Sequence, residues 1–449
     1  MRVIRELCVG TEVNQSKNMI IEGENLRVMA ELEQHRGRVD LIVTDPPYNT
    51  GRTFRYRDSW GGEWVSMMKP RLLRMQELLK PGGVLAICID DNELFRLGLL
   101  LDEVFGEQNR IAIINWQKSY GPRNDNKHVS RDTEYVLVYA KNKEQASTNL
   151  LPRNDVMNAK YKNPDNDPAG PWKIGGDATV ATPAERDRYA IQSPFTGALH
   201  YPGARAWSHP KKKMKEWLEQ WGSHYEEREL GDGRAKALVL KNAPTPTLAD
   251  CKLDTCPVAY DDRVFEHPLL QSARQKAEEL RDHGVWPMLY FTANGTGRPA
   301  LKRYLQYVKQ GKIPTTFWAE DDYDEPFVLG TESWSHKESG HTQAGISELN
   351  TIIGKGHNFQ TVKPLQLIKK LIHIWCPPDG IVLDPFAGSG TTAHAVLDLN
   401  HESGADRQFI LIEQGNSEAW DQFARTLTRE RVRRVAEPLS GGFEFIAFV

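Results

Sequence analysis

Apolar and polar positions along the chain fall into two textures. Over residues 20–140, short apolar runs alternate with stretches whose apolar residues recur every three or four positions, which predicts an open, mostly parallel α/β sheet. The pattern predicts a strand over 41–45 and a helix over 64–79 that stops at Pro81-Gly82-Gly83. A strand over 84–89, apolar enough to be covered on both faces, and a helix over 92–105 follow. Strands over 111–116 and 135–140 flank a polar loop, so an antiparallel pair at the sheet edge is expected. The same texture resumes after His357, with a helix over 364–375, a strand over 381–384, a helix over 391–399, a strand over 409–413 and a closing helix over 417–436. Between 141 and 353 proline, glycine, tryptophan and charge are interleaved and no period persists. That stretch is too long for a loop in a compact domain, so it is expected to fold separately. The expected organisation is 1–144 and 354–449 as two halves of one α/β domain, with 145–353 inserted between them.

The overall charge of -3 gives no sign of a polyanion partner, but charge is a local property. Residues 110–215 hold 18 Lys and Arg against 10 Asp and Glu, so a basic face on an otherwise acidic chain is expected. The five cysteines are scattered, which disfavours a disulfide framework and favours a reducing cytoplasm. Cys251 and Cys256 form a lone pair with no matching Cys/His pair, so no metal site is expected. Neither a signal peptide nor a membrane-length apolar run is evident, and a soluble, cytoplasmic chain without a membrane partner is expected.

Two signatures carry the candidate chemistry, and each ends a predicted strand. Asp384-Pro385-Phe386-Ala387-Gly388-Ser389-Gly390-Thr391 sits between a strand and a helix, where glycines permit close backbone approach and amide groups point at a nucleotide-like cofactor. Glu413 ends the next strand, 23 residues past Gly390, about where a carboxylate meets ribose hydroxyls in such sites. Asp45-Pro46-Pro47-Tyr48 offers a carboxylate, two prolines and an aromatic ring on one turn. An exocyclic amino group on a base is a poor nucleophile because its lone pair is delocalised into the ring. A site that alkylates it must hold its N–H groups on fixed acceptors. Asp45 is expected to accept one N–H and the Pro46 carbonyl the other, with the prolines fixing the turn and Tyr48 offering a face for stacking.

The tetrapeptide extends to Asp45-Pro46-Pro47-Tyr48-Asn49-Thr50-Gly51, and with residues 21–26, 80–93, 134–142 and Lys363-Pro364 it resembles the amino-methyltransferases of bacterial restriction-modification systems, in particular type III modification subunits. The tetrapeptide precedes the glycine loop by more than 300 residues, the permuted order of the beta group of that family, with target recognition between the two. The resemblance implies a Rossmann-like, S-adenosylmethionine-dependent methyltransferase fold of permuted motif order. It implies Asp384, Phe386, Gly388, Ser389, Gly390 and Thr391 along the cofactor, Glu413 on its ribose, Lys363 and Pro364 at its methionine end and Asn25 near its adenine. Many relatives have aspartate where this chain has Glu24. Aspartate at the first position of the tetrapeptide implies N6-adenine in double-stranded DNA as target. Cytosine N4, or a recognition subunit of a larger restriction assembly, are the alternatives. A second copy of the chain and a restriction subunit are the candidate protein partners.

For DNA contacts the sequence offers Lys118, Arg123 and Lys127 in the polar loop between the edge strands, and Lys211, Lys212 and Lys213 within the inserted stretch. The alternative for each is a solvated charged face.

Overall fold

The computed structural model describes residues 3–8, 17–119, 128–153, 155–176, 178–181, 184–247, 258–309, 311–318, 341–414, 422–439 and 441–448. The chain divides into two compact units, Met1–Leu151 with Lys312–Val449, and Pro152–Gly311.

The first unit is an α/β sheet. Its described elements are β1 (Val3–Cys8), β2 (Met19–Glu22), α1 (Asn25–Glu31), β3 (Val39–Thr44), α2 (Trp64–Leu78), β4 (Leu79–Ile89), α3 (Leu94–Phe105), β5 (Arg110–Gln117) and β6 (Thr133–Ala140). After the second unit come β7 (Phe317–Trp318), α4 (Thr342–Ile353), α5 (Leu365–Trp375), β8 (Ile381–Asp384), α6 (Thr391–Ser403), β9 (Gln408–Glu413), α7 (Glu430–Ala436) and β10 (Phe443–Phe448). The described strands form one sheet in the order β1-β10-β2-β9-β8-β3-β4-β6-β5-β7. From β10 to β4 all neighbours run parallel, whereas β6 is antiparallel to both β4 and β5.

Alternation along the strands explains why both faces are covered. Val84, Ala86 and Cys88 of β4 pack with Leu367, Ile368 and Leu371 of α5, while Leu85, Ile87 and Ile89 pack with Met68 and Leu72 of α2 and Leu97 and Leu101 of α3. The strand expected over 84–89 begins earlier, at Leu79, so Pro81-Gly82-Gly83 lies inside β4. Gly83 is there because a Cβ would meet the Val39 carbonyl at 2.8 Å, so the glycine serves close strand approach.

The boundaries of the insert also differ from expectation, 152 and 311 against 145 and 353. Residues 149–151 are tied to the first unit, Asn149 N–H donating to the Ile374 carbonyl at 2.8 Å and Leu151 pairing with Lys312. Helix α4 buries Leu349 against Phe359, Val362, Phe423 and Leu427 of that same unit. The expected helix over 417–436 is described only from residue 422, as a π-helical turn, Ala424–Arg429, running into α7.

The second unit has its own core of Trp172, Phe195, Trp207, Trp221, Tyr225 and Phe291. Its strands include Tyr225–Arg228, Ala237–Leu240 and Pro299–Tyr304, and its helices Lys211–Glu219 and Pro268–Asp282. Within it the fully buried Lys302 ammonium lies 2.6 Å from Asp167 and donates to Asp165, which also accepts from Trp172 Nε1 at 2.8 Å.

Candidate active site

Strands β3 and β8 are neighbours, with Leu41 opposite Val382 and Ile42 opposite Leu383. Their C-terminal ends therefore bring Asp45 and Asp384 to one edge of the sheet, although the two residues are more than 300 apart in sequence. From β8 the sheet continues through β9 and β2, and from β3 through β4, so the strand order reverses direction between them. That is where open α/β sheets place ligands.

At the Asp45 end a single cation gathers three groups. Lys363 Nζ lies 3.1 Å from Asp45 Oδ2 and 3.1 Å from Glu134 Oε2, and it donates to the Tyr48 hydroxyl at 2.8 Å. The Tyr48 hydroxyl in turn donates to Glu134 Oε2 at 3.2 Å, and Lys118 Nζ donates to Glu134 Oε1 at 3.2 Å. The same Lys363 ammonium lies 4.9 Å from the centre of the Tyr48 ring, at its hydroxyl end. Asp45 Oδ1 is buried and has no hydrogen-bond partner, and the Thr44 hydroxyl beside it is in the same condition. A buried carboxylate oxygen without a donor is costly, and it marks where a ligand N–H fits.

Burial pushes the Asp45 carboxyl up, with Lys363 opposing and Glu134 adding to the rise. For Glu134 burial also acts upward, but Lys363 and Lys118 outweigh it and hold the group below the usual carboxylate range. Burial lowers the Lys363 ammonium while Asp45 and Glu134 raise it, and the raising wins. The cluster thus sets two carboxylates on two ammonium groups, with the charged forms of Glu134 and Lys363 favoured by their partners and Asp45 pushed up by burial.

The turn that presents Asp45 is fixed by Asn49 of the extended motif and by Asp58, which the sequence did not single out. Asn49, at φ +58°, accepts from Trp60 N–H at 2.8 Å and Gly61 N–H at 2.9 Å and donates to Glu93 at 2.7 Å. Buried Asp58 accepts from the amides of Asn49 and Thr50 at 3.0 and 2.9 Å, and the Pro47 carbonyl accepts from Trp64 Nε1 at 2.7 Å.

At the other end, Asp384 Oδ2 accepts from the Thr392 hydroxyl at 2.6 Å and Oδ1 from the Phe386 amide at 3.1 Å. Burial nevertheless pushes its carboxyl up to about 7. Glu413 Oε2 accepts from Gly388 N–H at 2.6 Å, tying the glycine loop to the end of β9. Gly388 has φ +52°, and a Cβ there would stand 3.4 Å from the Phe359 ring. Gly390, which precedes α6, faces Val432 and Thr428.

Two cavities meet at Asp45. One is lined by Asp384, Phe386, Gly388, Ser389, Thr391 and Glu413, and the other by Pro46, Tyr48, Asp90, Lys118 and Glu134; Asp45, Tyr56, Thr361 and Lys363 line both. The second has about 620 Å³ of space, within the range of small-ligand sites. The first is narrower, about 90 Å³, and Tyr56, Phe359 and Phe423 form its aromatic wall.

Several expected site residues make contacts within the protein itself. Asn25 donates to the Pro385 carbonyl at 2.7 Å and accepts from Arg71 Nε at 2.7 Å, so its amide braces the glycine loop. Pro364 precedes α5 and carries the extended backbone that delivers Lys363. Lys118 belongs to the Glu134 cluster, while Arg123 and Lys127 lie outside the described residues. In the second unit Lys211 donates to the Lys236 carbonyl at 2.7 Å, Lys213 pairs with Glu216 at 3.0 Å, and Lys212 is exposed. Glu134, Asp58 and the aromatic wall of Tyr56, Phe359 and Phe423 were not singled out by the sequence. The available signal for Glu134 was a carboxylate heading an apolar strand within residues 134–142.

A parallel α/β sheet with a glycine loop and an Asp-Pro-Pro-Tyr turn at one strand edge defines a methyltransferase-type site. The DNA methylase family profile matches residues 39–420, and the chain belongs to that family. It is 29% identical over 467 residues to the type III restriction-modification enzyme StyLTI Mod subunit of Salmonella typhimurium, covering 95% of this chain and 58% of that one. Against the type III EcoPI Mod subunit of Escherichia phage P1 the identity is 27%, covering 90% and 58%; against the type II methyltransferase M.KpnI of Klebsiella pneumoniae it is 27%, covering 90% and 82%. The chain thus spans less than two thirds of the length of the type III relatives. Among solved structures, a putative DNA modification methylase from Thermus thermophilus, complexed with S-adenosyl-L-methionine, matches with a TM-score of 0.38 at 14% identity, covering 96% of this chain and all of that one.

Proposed function

We propose that the chain transfers a methyl group from S-adenosylmethionine to the N6 amino group of an adenine turned out of duplex DNA, as part of a restriction-modification system or derived from one. The observation that carries this reading is the meeting of two cavities at one unpartnered carboxylate oxygen, Asp45 Oδ1. A two-substrate transfer needs two adjoining sites and an acceptor where they join. The donor set suits the cofactor: Glu413 is a carboxylate acceptor for ribose hydroxyls, and Ser389, Thr391 and the loop backbone supply polar groups beside it. S-adenosylmethionine supplies an electrophilic methyl group.

The chain's residues do the rest. Asp45 Oδ1 accepts an amino N–H and favours the pyramidal, charge-developing nitrogen, while Lys363 on Oδ2 keeps the carboxylate ionised. As the nitrogen gains its methyl group it becomes cationic and sheds one proton, which passes to Asp45, whose proton affinity burial has raised. Tyr48 stands beside the base in the larger cavity. Adenine is preferred over cytosine because the tetrapeptide begins with aspartate.

Unit 152–311 is assigned to target recognition. Its helix Lys211–Glu219 places Lys211, Lys212 and Lys213 in the first turn, where the helix dipole disfavours cations. Lys211 is offset there by the Lys236 carbonyl and Lys213 by Glu216, which leaves the exposed Lys212 for a phosphate backbone. The Mod relatives suggest a restriction subunit as a further partner, and a second copy of the chain is the other candidate. Incubation with tritiated S-adenosylmethionine and equal amounts of duplex DNA, RNA and a protein mixture tests the reading. Label in the duplex is expected; label confined to RNA or protein contradicts it.

A further inference from the structure

Behind the glycine loop lies a cation that the transfer does not use. Arg431, on α7, is completely buried. Its Nη1 donates to Ser389 Oγ at 2.9 Å and to Thr391 Oγ1 at 2.8 Å, and its Nη2 lies 3.3 Å from His394 Nδ1. His394 Nε2 stands 3.6 Å from Asp398, and burial, with Arg431 and Lys369 nearby, lowers the imidazole to about 3. The ring is therefore neutral and accepts from the guanidinium. Burial lowers Arg431 itself only to about 10, with Glu348 and Asp398 opposing, so it stays charged at neutral pH. Asp398 is itself engaged by Lys369 at 3.6 Å, and the Glu348 carboxylate is engaged by the Leu365 amide at 3.0 Å.

A full charge is thus buried against two hydroxyls and an imidazole, which compensate it poorly. The hydroxyls belong to Ser389 and Thr391, and both line the first cavity. Arg431 donates to each oxygen, so neither hydroxyl hydrogen can point at the guanidinium. The two oxygens are 3.2 Å apart, so at most one hydrogen is spent between them. At least one hydrogen is left for another acceptor, on side chains that line the cavity and are backed by a positive charge and by the N-terminal end of α6.

We infer that Arg431 is a positioning residue that turns the Ser389 and Thr391 hydroxyls into donors toward the negatively charged end of the ligand in the first cavity. This rests on the cofactor reading above, and it assigns the amino-acid carboxylate of S-adenosylmethionine to the Ser389/Thr391 end, opposite the acceptor Glu413.

The test is calorimetric binding of two nucleosides to the full chain: S-adenosylhomocysteine, which has the carboxylate, and 5′-methylthioadenosine, which lacks it. Arg431→Met is expected to weaken S-adenosylhomocysteine about 10- to 100-fold, the worth of one charge-assisted hydrogen bond, and to change methylthioadenosine less than about threefold. Arg431→Lys, which keeps the charge, is expected to recover most of the loss. Equal weakening of both nucleosides makes Arg431 a mere support for the loop and overturns the inference, as does an unchanged affinity for both. If Arg431→Met does not fold, Ser389→Ala and Thr391→Val report on the same relay from the cavity side. Selective loss of S-adenosylhomocysteine supports the inference and equal loss overturns it. A wild-type chain that binds neither nucleoside overturns the cofactor reading and this assignment together, a result distinct from unselective loss in the variants.

Discussion

The Lys363 ammonium lies 3.1 Å from Asp45 Oδ2, joining residues from the two halves of the sheet that flank the second unit in sequence. The contact has a definite electrostatic sign. Burial raises the Asp45 carboxyl and Lys363 is the strongest group pulling it back. Asp45 stabilises the developing charge and takes the departing proton only when ionised, so the rate falls as pH drops through its pKa, above the ordinary aspartate value of about 3.9. Lys363→Met removes the downward pull, and the acid limb of the kcat profile is expected to move to higher pH. An acid limb that does not move contradicts the pairing.

Glu134 provides the opposite sign. Its charge adds to the rise of Asp45, so Glu134→Gln is expected to shift the same acid limb to lower pH while reducing kcat about tenfold, because Lys363 loses one of its anchors. Comparing pH profiles of the two variants makes the check. Shifts in the same direction are inconsistent with the cluster as described.

Gly388 is constrained twice, by φ +52° and by the Phe359 ring that a Cβ would meet at 3.4 Å. Gly388→Ala is expected to cost about 1 kcal/mol of stability and to weaken cofactor binding at least tenfold, since the loop backbone must shift. Urea unfolding and titration calorimetry measure the two effects, and an unchanged cofactor affinity refutes the role given to this glycine.

In the second unit, Lys302→Met leaves Asp165 and Asp167 buried without their cation. Breaking a buried pair from one side costs about 3–5 kcal/mol, so an early unfolding transition is expected in urea. A denaturation curve superimposable on the wild type argues that the cluster is hydrated.

The α/β halves were legible because their signals are local: apolar runs of strand length, helical spacing, and two motifs at strand ends. What escaped was set by tertiary contact. Helix α4 shows mixed composition in sequence, and it is Leu349 packing on Phe359 and Phe423, with Glu348 accepting from the Leu365 amide, that ties it to the first unit. Asn25 reads as a ligand contact, and its bracing of Pro385 and Arg71 was not legible. Lys363 reads as a cofactor residue and lines the first cavity, but that its ammonium also serves Asp45, Glu134 and Tyr48 was not legible. Glu134 and Arg431 were missed because a carboxylate or guanidinium acquires its role from which buried groups face it, and that is not written in residue spacing.

The most direct measurement is nucleoside analysis of plasmid DNA incubated with S-adenosylmethionine and either the wild-type chain or Asp45→Ala. N6-methyladenine from the wild type and at least roughly a thousandfold less from Asp45→Ala is the predicted result. Unmethylated DNA from an active, cofactor-binding wild type, or undiminished methyladenine from Asp45→Ala, contradicts the account.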